Sequence, residues 1–244
     1  MAVCPEAGQF IDTDNDSDYI VTHQPEKNAE VRGGEGGYKL RLTYSKTGLI
    51  RFISHRDLIR VFFRAFSRAG LPVAYSRGFS PHPRVSFCPP LKVGMEGLNE
   101  MLDITLSRPV DPEAAAESLR PRLPEGIAVG GCRLLEGPVP SLNSRLEMAE
   151  YRVRLADPVR VSREAIERFL DASEVPVTLI RGGEEKTVNA RRGVVELDWS
   201  GEGESRMVLS LKETGRPYAV LAALSGADFR LLAGLRWRRM GFLP

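Results

Sequence analysis

Cysteine is scarce in this 244-residue chain: Cys4, Cys88 and Cys132 stand far apart. None belongs to a Cys-x-x-Cys pair or to a cysteine–histidine ligand spacing, which argues against a disulfide framework, a zinc knot and a cysteine-held iron–sulfur cluster. Three reduced thiols fit a reducing compartment, so a cytoplasmic protein is expected. Long apolar runs are missing as well. No stretch approaches the roughly 18 residues that span a bilayer. The first residues lack the basic-then-apolar pattern of a secretory signal. There is no P-loop, no Gly-x-Gly-x-x-Gly behind a strand and no Ser/His/Asp arrangement, and Gly182-Gly183 is too short to cradle a phosphate. The alternation Asp12, Asp14, Asp16 lacks the glycine and distal glutamate of a calcium loop. Neither a resident metal nor a cofactor is expected, and nothing indicates a reaction.

What is present is ordinary globular composition, 42% hydrophobic and 27% charged. The net charge of +2 conceals a strong asymmetry. Residues 1–37 hold eight carboxylates against Lys27 and Arg32, a net of −6. Residues 38–92 hold eleven lysines and arginines against Asp57 alone, a net of +10. A concentrated positive field attracts polyanions and acidic surfaces.

Hydrophobic periodicity then orders the chain. Residues 1–37 bury too little apolar surface to fold and read as a disordered acidic tail, able to lie over the basic segment. Leu40 and Leu42 alternate with Lys39 and Arg41 as a half-buried strand. Ser54 has a hydroxyl suited to cap a helix, with Asp57 favouring its positive end. That helix carries Leu58, Ile59, Phe62, Phe63, Phe66 and Ala69 on one face and stops at Gly70 before Pro72. Strands are predicted from Val73, over Met101–Leu106 and over Ile127–Leu134, with a helix from Asp111-Pro112 to about Leu119. The order βαββαβ predicts a ferredoxin-like sandwich. Residues 149–244 look like a looser echo, with strands near 151–155, 177–180, 194–199, 207–211 and 235–240 and helices after Ser162 and Pro217. The expected fold class is therefore α+β: two packed tandem ferredoxin-like halves, 38–135 and 149–244, behind the tail. Pro138, Pro140 and Ser141 mark the linker.

Two features point to an anionic partner. Arg56, Arg60, Arg64 and Arg68 recur every four residues, so they stack along one helix face opposite the apolar one. Four like charges at this spacing destabilise an isolated helix, and a phosphate backbone offsets that. A solvated face usually mixes arginine with glutamate, and the acids are missing here. The second feature is the run Tyr75-Ser76-Arg77-Gly78-Phe79-Ser80-Pro81-His82-Pro83-Arg84. Its aromatic rings can stack bases while Arg77, His82 and Arg84 meet phosphates or base edges. The plainer reading is a rigid proline-rich connection with Phe79 and Phe87 in the core. His82 and His55 are the candidate acid–base groups, although no second catalytic group accompanies either. His55 can also donate to a phosphate at the helix start or simply sit half-buried. Arg230, Arg236, Arg238 and Arg239 with Trp237 form a second basic-aromatic stretch, a strand with one wet face that either extends the first basic surface or is an edge strand kept soluble by charge.

The runs Tyr44-Ser45-Lys46-Thr47-Gly48, Arg51-Phe52-Ile53-Ser54-His55, Asp57-Leu58 and Tyr75 to Pro83, with Val93-Gly94 and Leu102-Asp103-Ile104, resemble the radical SAM-linked protein family. This is a bacterial domain of unknown function found alone or fused behind a radical SAM protein. The resemblance covers about residues 38 to 240. Asn189-Ala190-Arg191 departs from the Asp-x-Arg it leads one to expect, and Arg56 stands where an apolar residue is usual. The resemblance implies a partner rather than an activity. Relatives are encoded near a radical SAM protein, an E/G-type ribonuclease and ribosomal proteins. The expectation is an RNA-binding accessory protein working with a radical SAM protein. The alternatives are a docking subunit of such an enzyme without RNA contact, and an RNA nuclease or modifying enzyme using His82.

Overall fold

A computed structural model describes residues 37–243, apart from Gly78, Pro138, Gly182, Gly183, Gly201, Glu202, Thr214 and Gly215. The predicted acidic tail thus lies outside the described residues, Gly37 excepted. The chain is mixed α and β and divides into two compact units. One comprises residues 37–152 with Trp237–Leu243, the other Val153–Arg236. Among the described residues no helix is long and apolar enough to cross a membrane.

The first unit is built on β1 (Tyr38–Lys46), which lies antiparallel to both β3 (Glu96–Leu106) and β4 (Ile127–Leu135). The short β2 (Val85–Phe87) adds antiparallel to the far half of β3. The near half of β3 takes β10 (Arg236–Leu243) in parallel, through Arg238 opposite Glu96. With β5 (Met148–Arg154) beyond β10, the unit's sheet is mixed, in the order β4-β1-β3-β10-β5. The segment predicted as a strand from Val73 makes only two isolated bridges, Val73 to Leu106 and Tyr75 to Pro83.

One face of this sheet carries the core. Leu40, Leu42 and Tyr44 of β1 and Leu102, Ile104 and Leu106 of β3 meet two helices, α1 (His55–Arg68) and α2 (Pro112–Leu119). From α1 come Leu58, Phe62, Ala65 and Phe66, and from α2 Ala115 and Leu119. The Phe62 ring meets Tyr44 edge-on at 4.8 Å. Each such side chain contributes roughly 1.5–3 kcal/mol on burial. The ends of α1 follow from local chemistry. Ser54 Oγ accepts the Asp57 amide at 3.2 Å, and Gly70 turns the chain away at φ 65°.

The opposite face holds a charge pair, Arg41 to Asp103, with Nε donating to Oδ1 at 2.7 Å and one terminal nitrogen to Oδ2 at 2.8 Å. Both side chains are buried. The linker lies against this face rather than hanging free. Lys39 Nζ donates to the Val139 carbonyl at 3.1 Å, and α3 (Leu142–Arg145), with Leu142 buried, sits by β2.

The second unit contains α4 (Arg163–Asp171), the β6–β7 hairpin (Pro176–Arg181, Glu184–Asn189), the β8–β9 hairpin (Val194–Ser200, Glu204–Ser210), α5 (Pro217–Ser225) and α6 (Phe229–Gly234). The β6–β7 pair forms a two-stranded sheet of its own. The apolar α5 is buried between α4, α6 and β6 and ends at the left-handed Gly226. Asn189 Oδ1 accepts the Val175 and Arg191 amides, each at 3.0 Å. That position needs an acceptor rather than a charge, so asparagine serves where the resemblance leads one to expect aspartate.

Candidate nucleic-acid interface

Because α1 gives its apolar stripe to the core, the other side faces water, and Arg56, Arg60, Arg64 and Arg68 are all exposed there. Successive guanidinium groups rise by about 6 Å along the helix, close to the spacing of phosphates along a nucleic-acid strand. Arg60 pairs with Asp57 at 3.1 Å, and Asp57 also lowers the local field at Arg56. Among the described residues, no carboxylate lies within ion-pair distance of Arg64 or Arg68. The helix C-terminus adds a cation that sequence spacing did not reveal. Arg122 Nε donates to the Arg68 carbonyl at 2.7 Å, and a terminal nitrogen of the same side chain bonds the Ser118 carbonyl. Arg122 stands 54 residues from Arg68, so only the packing of α2 beside α1 brings them together.

The second group of predicted residues lies on a ribbon. The Arg84 amide donates to the Ala74 carbonyl and the Ala74 amide to the Thr105 carbonyl, both at 2.8 Å. Its tip is closed by the Ser76 amide on the His82 carbonyl at 2.9 Å. Tyr75 is 54% exposed, and Phe79 at 110% touches nothing in the fold. Phe79 therefore does not belong to the core, which overturns the plainer expectation for it, whereas Phe87 packs against the core as that expectation has it. Arg77, His82 and Arg84 are exposed as well.

The two histidines are placed differently. His82 is spent on holding the tip: its amide donates to Ser76 Oγ at 3.1 Å, and Nδ1 lies 3.0 Å from that oxygen and 3.3 Å from the Ser80 carbonyl. His55 is half-buried, its ring edge-on to Phe87 at 5.4 Å. This contact joins the start of α1 to β2, the strand that leaves the ribbon.

Much of the charge counted along residues 38–92 is used internally. Arg41 is neutralised by Asp103, whose hydrogen bond outweighs desolvation and raises the guanidinium pKa. Lys46 is buried and donates to the Ile53 carbonyl at 3.0 Å. Arg51 leans toward Glu96 at 3.6 Å and lies over the Phe52 ring. The surface field thus comes from α1 and the ribbon rather than from the whole segment.

The C-terminal basic-aromatic stretch alternates as expected but is not an edge strand, since β10 lies between β3 and β5. Arg236 does face water, but Trp237 and Arg239 are buried, and Arg238 bonds Glu96 at 3.1 Å. Arg239 Nε donates to Glu100 Oε1 at 2.8 Å, and a second nitrogen bonds the Pro89 carbonyl. Burial opposes that charge most strongly, yet the Glu100 carboxylate outweighs it and raises the Arg239 pKa. The Cys88 thiol donates to Glu100 Oε2 at 3.2 Å, and burial followed by the nearby carboxylate pushes its pKa well up. Burial likewise raises Tyr44. A protonated thiol and phenol around a neutralised carboxylate make a structural clamp rather than a nucleophilic site. A β-bulge lies beside the clamp. The β1–β3 register slips between Tyr44 opposite Glu100 and Lys46 opposite Gly97. A Cβ on Gly97 would lie 2.6 Å from Glu100 Cγ, so only glycine leaves room for that side chain.

Among the described residues, no group of three or more His, Cys, Asp or Glu is arranged to hold a metal ion. A family model described as an uncharacterized protein conserved in bacteria, DUF2344, matches residues 39–218. No curated protein matches the chain.

Proposed function

The chain belongs to the bacterial DUF2344 family of uncharacterized conserved proteins, and from that premise we propose that it is an RNA-binding accessory protein of the cytoplasm. Its partners are structured RNA and a radical SAM protein, in RNA processing or modification. One observation carries the reading: α1 exposes four arginines in line, and Arg64 and Arg68 have no carboxylate at ion-pair distance among the described residues. Arginine at such spacing suits phosphate, to which it gives planar, bidentate contacts. The RNA-binding residues are Arg56, Arg60, Arg64 and Arg68 with Tyr75, Arg77, Phe79, His82 and Arg84, to which Arg122 is added.

We read the scaffold as two tandem ferredoxin-like halves. For the first, the support is the pairing β4-β1-β3-β2, with α1 and α2 on one face. For the second, it is the order of elements along the chain. The radical SAM partner rests on the family resemblance alone. Catalysis by His82 has less support, since Nδ1 is engaged by Ser76.

The test is fluorescence anisotropy with a labelled structured RNA. The triple variant Arg60→Glu, Arg64→Glu, Arg68→Glu is expected to lose binding while keeping its circular dichroism. Unchanged affinity refutes the proposal. Co-purification of a radical SAM protein that survives nuclease and ignores the arginine variant favours the docking reading instead.

A further inference from the structure

The α1 stripe and the ribbon tip present different chemistry, and the difference narrows the RNA. The stripe offers only cations, which read a backbone without regard to pairing. The tip offers an aromatic ring. Phe79 is the most exposed large apolar side chain among the described residues, at 110%, so both faces of its ring are open. Such exposure does nothing for the fold, because an apolar ring in water gains nothing from folding. The tip is also stiffened. Pro81 and Pro83 restrict the backbone, and the Ser76 hydroxyl is shared between the His82 amide at 3.1 Å and its ring at 3.0 Å. A ring held out on a braced tip loses little conformational entropy when it meets a partner.

The surroundings select the partner. Residues 58–95 contain no aspartate or glutamate, and the tip carries exposed Arg77 on one side of Phe79 and Arg84 beyond His82 on the other. An aromatic face between cations, with no acid in the segment, matches a nucleobase joined to phosphates on both sides. Inside a duplex both faces of a base are already stacked, so the ring needs a base that is extruded or unpaired. We propose that Phe79, with Tyr75 at the base of the tip, stacks an unpaired nucleotide, and that the RNA taken by this surface is a helix interrupted by a bulge or loop. This rests on the RNA-binding reading above: the stripe holds the flanking helix and the tip takes the displaced base.

The experiment compares two labelled RNA hairpins of identical stem, one perfectly paired and one carrying a single bulged 2-aminopurine. Wild-type protein is expected to bind the bulged RNA about tenfold tighter, the equivalent of about 1.4 kcal/mol, and to change the 2-aminopurine fluorescence. Phe79→Ala, a change at a side chain with no contacts in the fold, should bind both RNAs equally, with the affinity of wild type for the paired one. Arg64→Glu/Arg68→Glu should lose both. If wild type binds the two RNAs equally and the arginine variant loses both, the stacking inference is overturned while RNA binding stands. If Phe79→Ala keeps the tenfold preference, the inference is overturned as well. If wild type binds neither RNA, the RNA-binding reading fails and the stacking inference falls with it.

Discussion

Replacing Arg239 by methionine should destabilise the first unit severely, although the residue lies near the chain terminus and sequence alone placed it in a surface patch. Arg239 and Glu100 are each only 2% exposed. Methionine keeps the apolar stem and removes the guanidinium, so Glu100 is left buried with the Cys88 thiol as its remaining side-chain donor. Orphaning one partner of a buried pair costs roughly 3–5 kcal/mol, a large part of the roughly 5–15 kcal/mol that holds a domain folded. The midpoint of thermal unfolding should fall by roughly 6–20 °C. Adding Glu100→Gln removes the stranded charge, and the double variant should recover at least half the loss, because a buried pair exchanged for neutral groups is often tolerated. Urea unfolding followed by tryptophan fluorescence is the assay, since buried Trp237 adjoins Arg239 on β10. A single variant within about 1 kcal/mol of wild type, or a double variant worse than the single, would refute the reasoning.

Other outcomes follow from the same geometry. Gly97→Ala forces Glu100 out of place and should lower stability by about 1–3 kcal/mol in the same urea assay. Ser54→Ala removes the α1 cap and should lower stability by about 1 kcal/mol, read by thermal unfolding. The Asp57 carboxyl is held below its ordinary value of 3.8, first by the Ser54 hydroxyl and then by Arg60. Its contribution is therefore full above that value and lost as pH falls through the lower folded pKa, a trend that Asp57→Asn should abolish in acid unfolding curves. Burial raises the Cys132 thiol from 9.0 to about 11, so its contribution is full below pH 9 and lost as pH rises toward 11. Iodoacetamide at pH 8 should label native Cys132 more slowly than unfolded chain and leave Cys88 unlabelled, as mass spectrometry would show.

The helix α1 was legible because all its determinants are local. Ser54, Asp57, the apolar spacing and Gly70 lie within one short segment, and the four-residue arginine repeat fixes their shared face whatever the tertiary structure. The charge pairs were not legible. Arg41 meets Asp103 across 62 residues and Arg239 meets Glu100 across 139, so counting charge along the sequence overstated both the surface field and the C-terminal patch. The clamp was hidden further because strict alternation puts Glu100 on the same face as Leu102 and Ile104, where a carboxylate is not expected without a distant cation. Arg122 was missed for a related reason: helix packing, not spacing, sets it at the end of the stripe. Phe79 was left open between core and surface because hydrophobicity does not say which way a loop residue points.

The central claim is that the α1 arginines hold a phosphate backbone, and its most direct measure is the salt dependence of RNA affinity. Each phosphate contact contributes on the order of 0.7–0.9 to the slope of log affinity against log salt. Neutralising Arg64 and Arg68 together as glutamine should therefore flatten the slope by about 1.5 and weaken binding most at low salt. A slope and affinity identical to wild type would mean that these side chains touch no phosphate, and the account of this surface would be wrong.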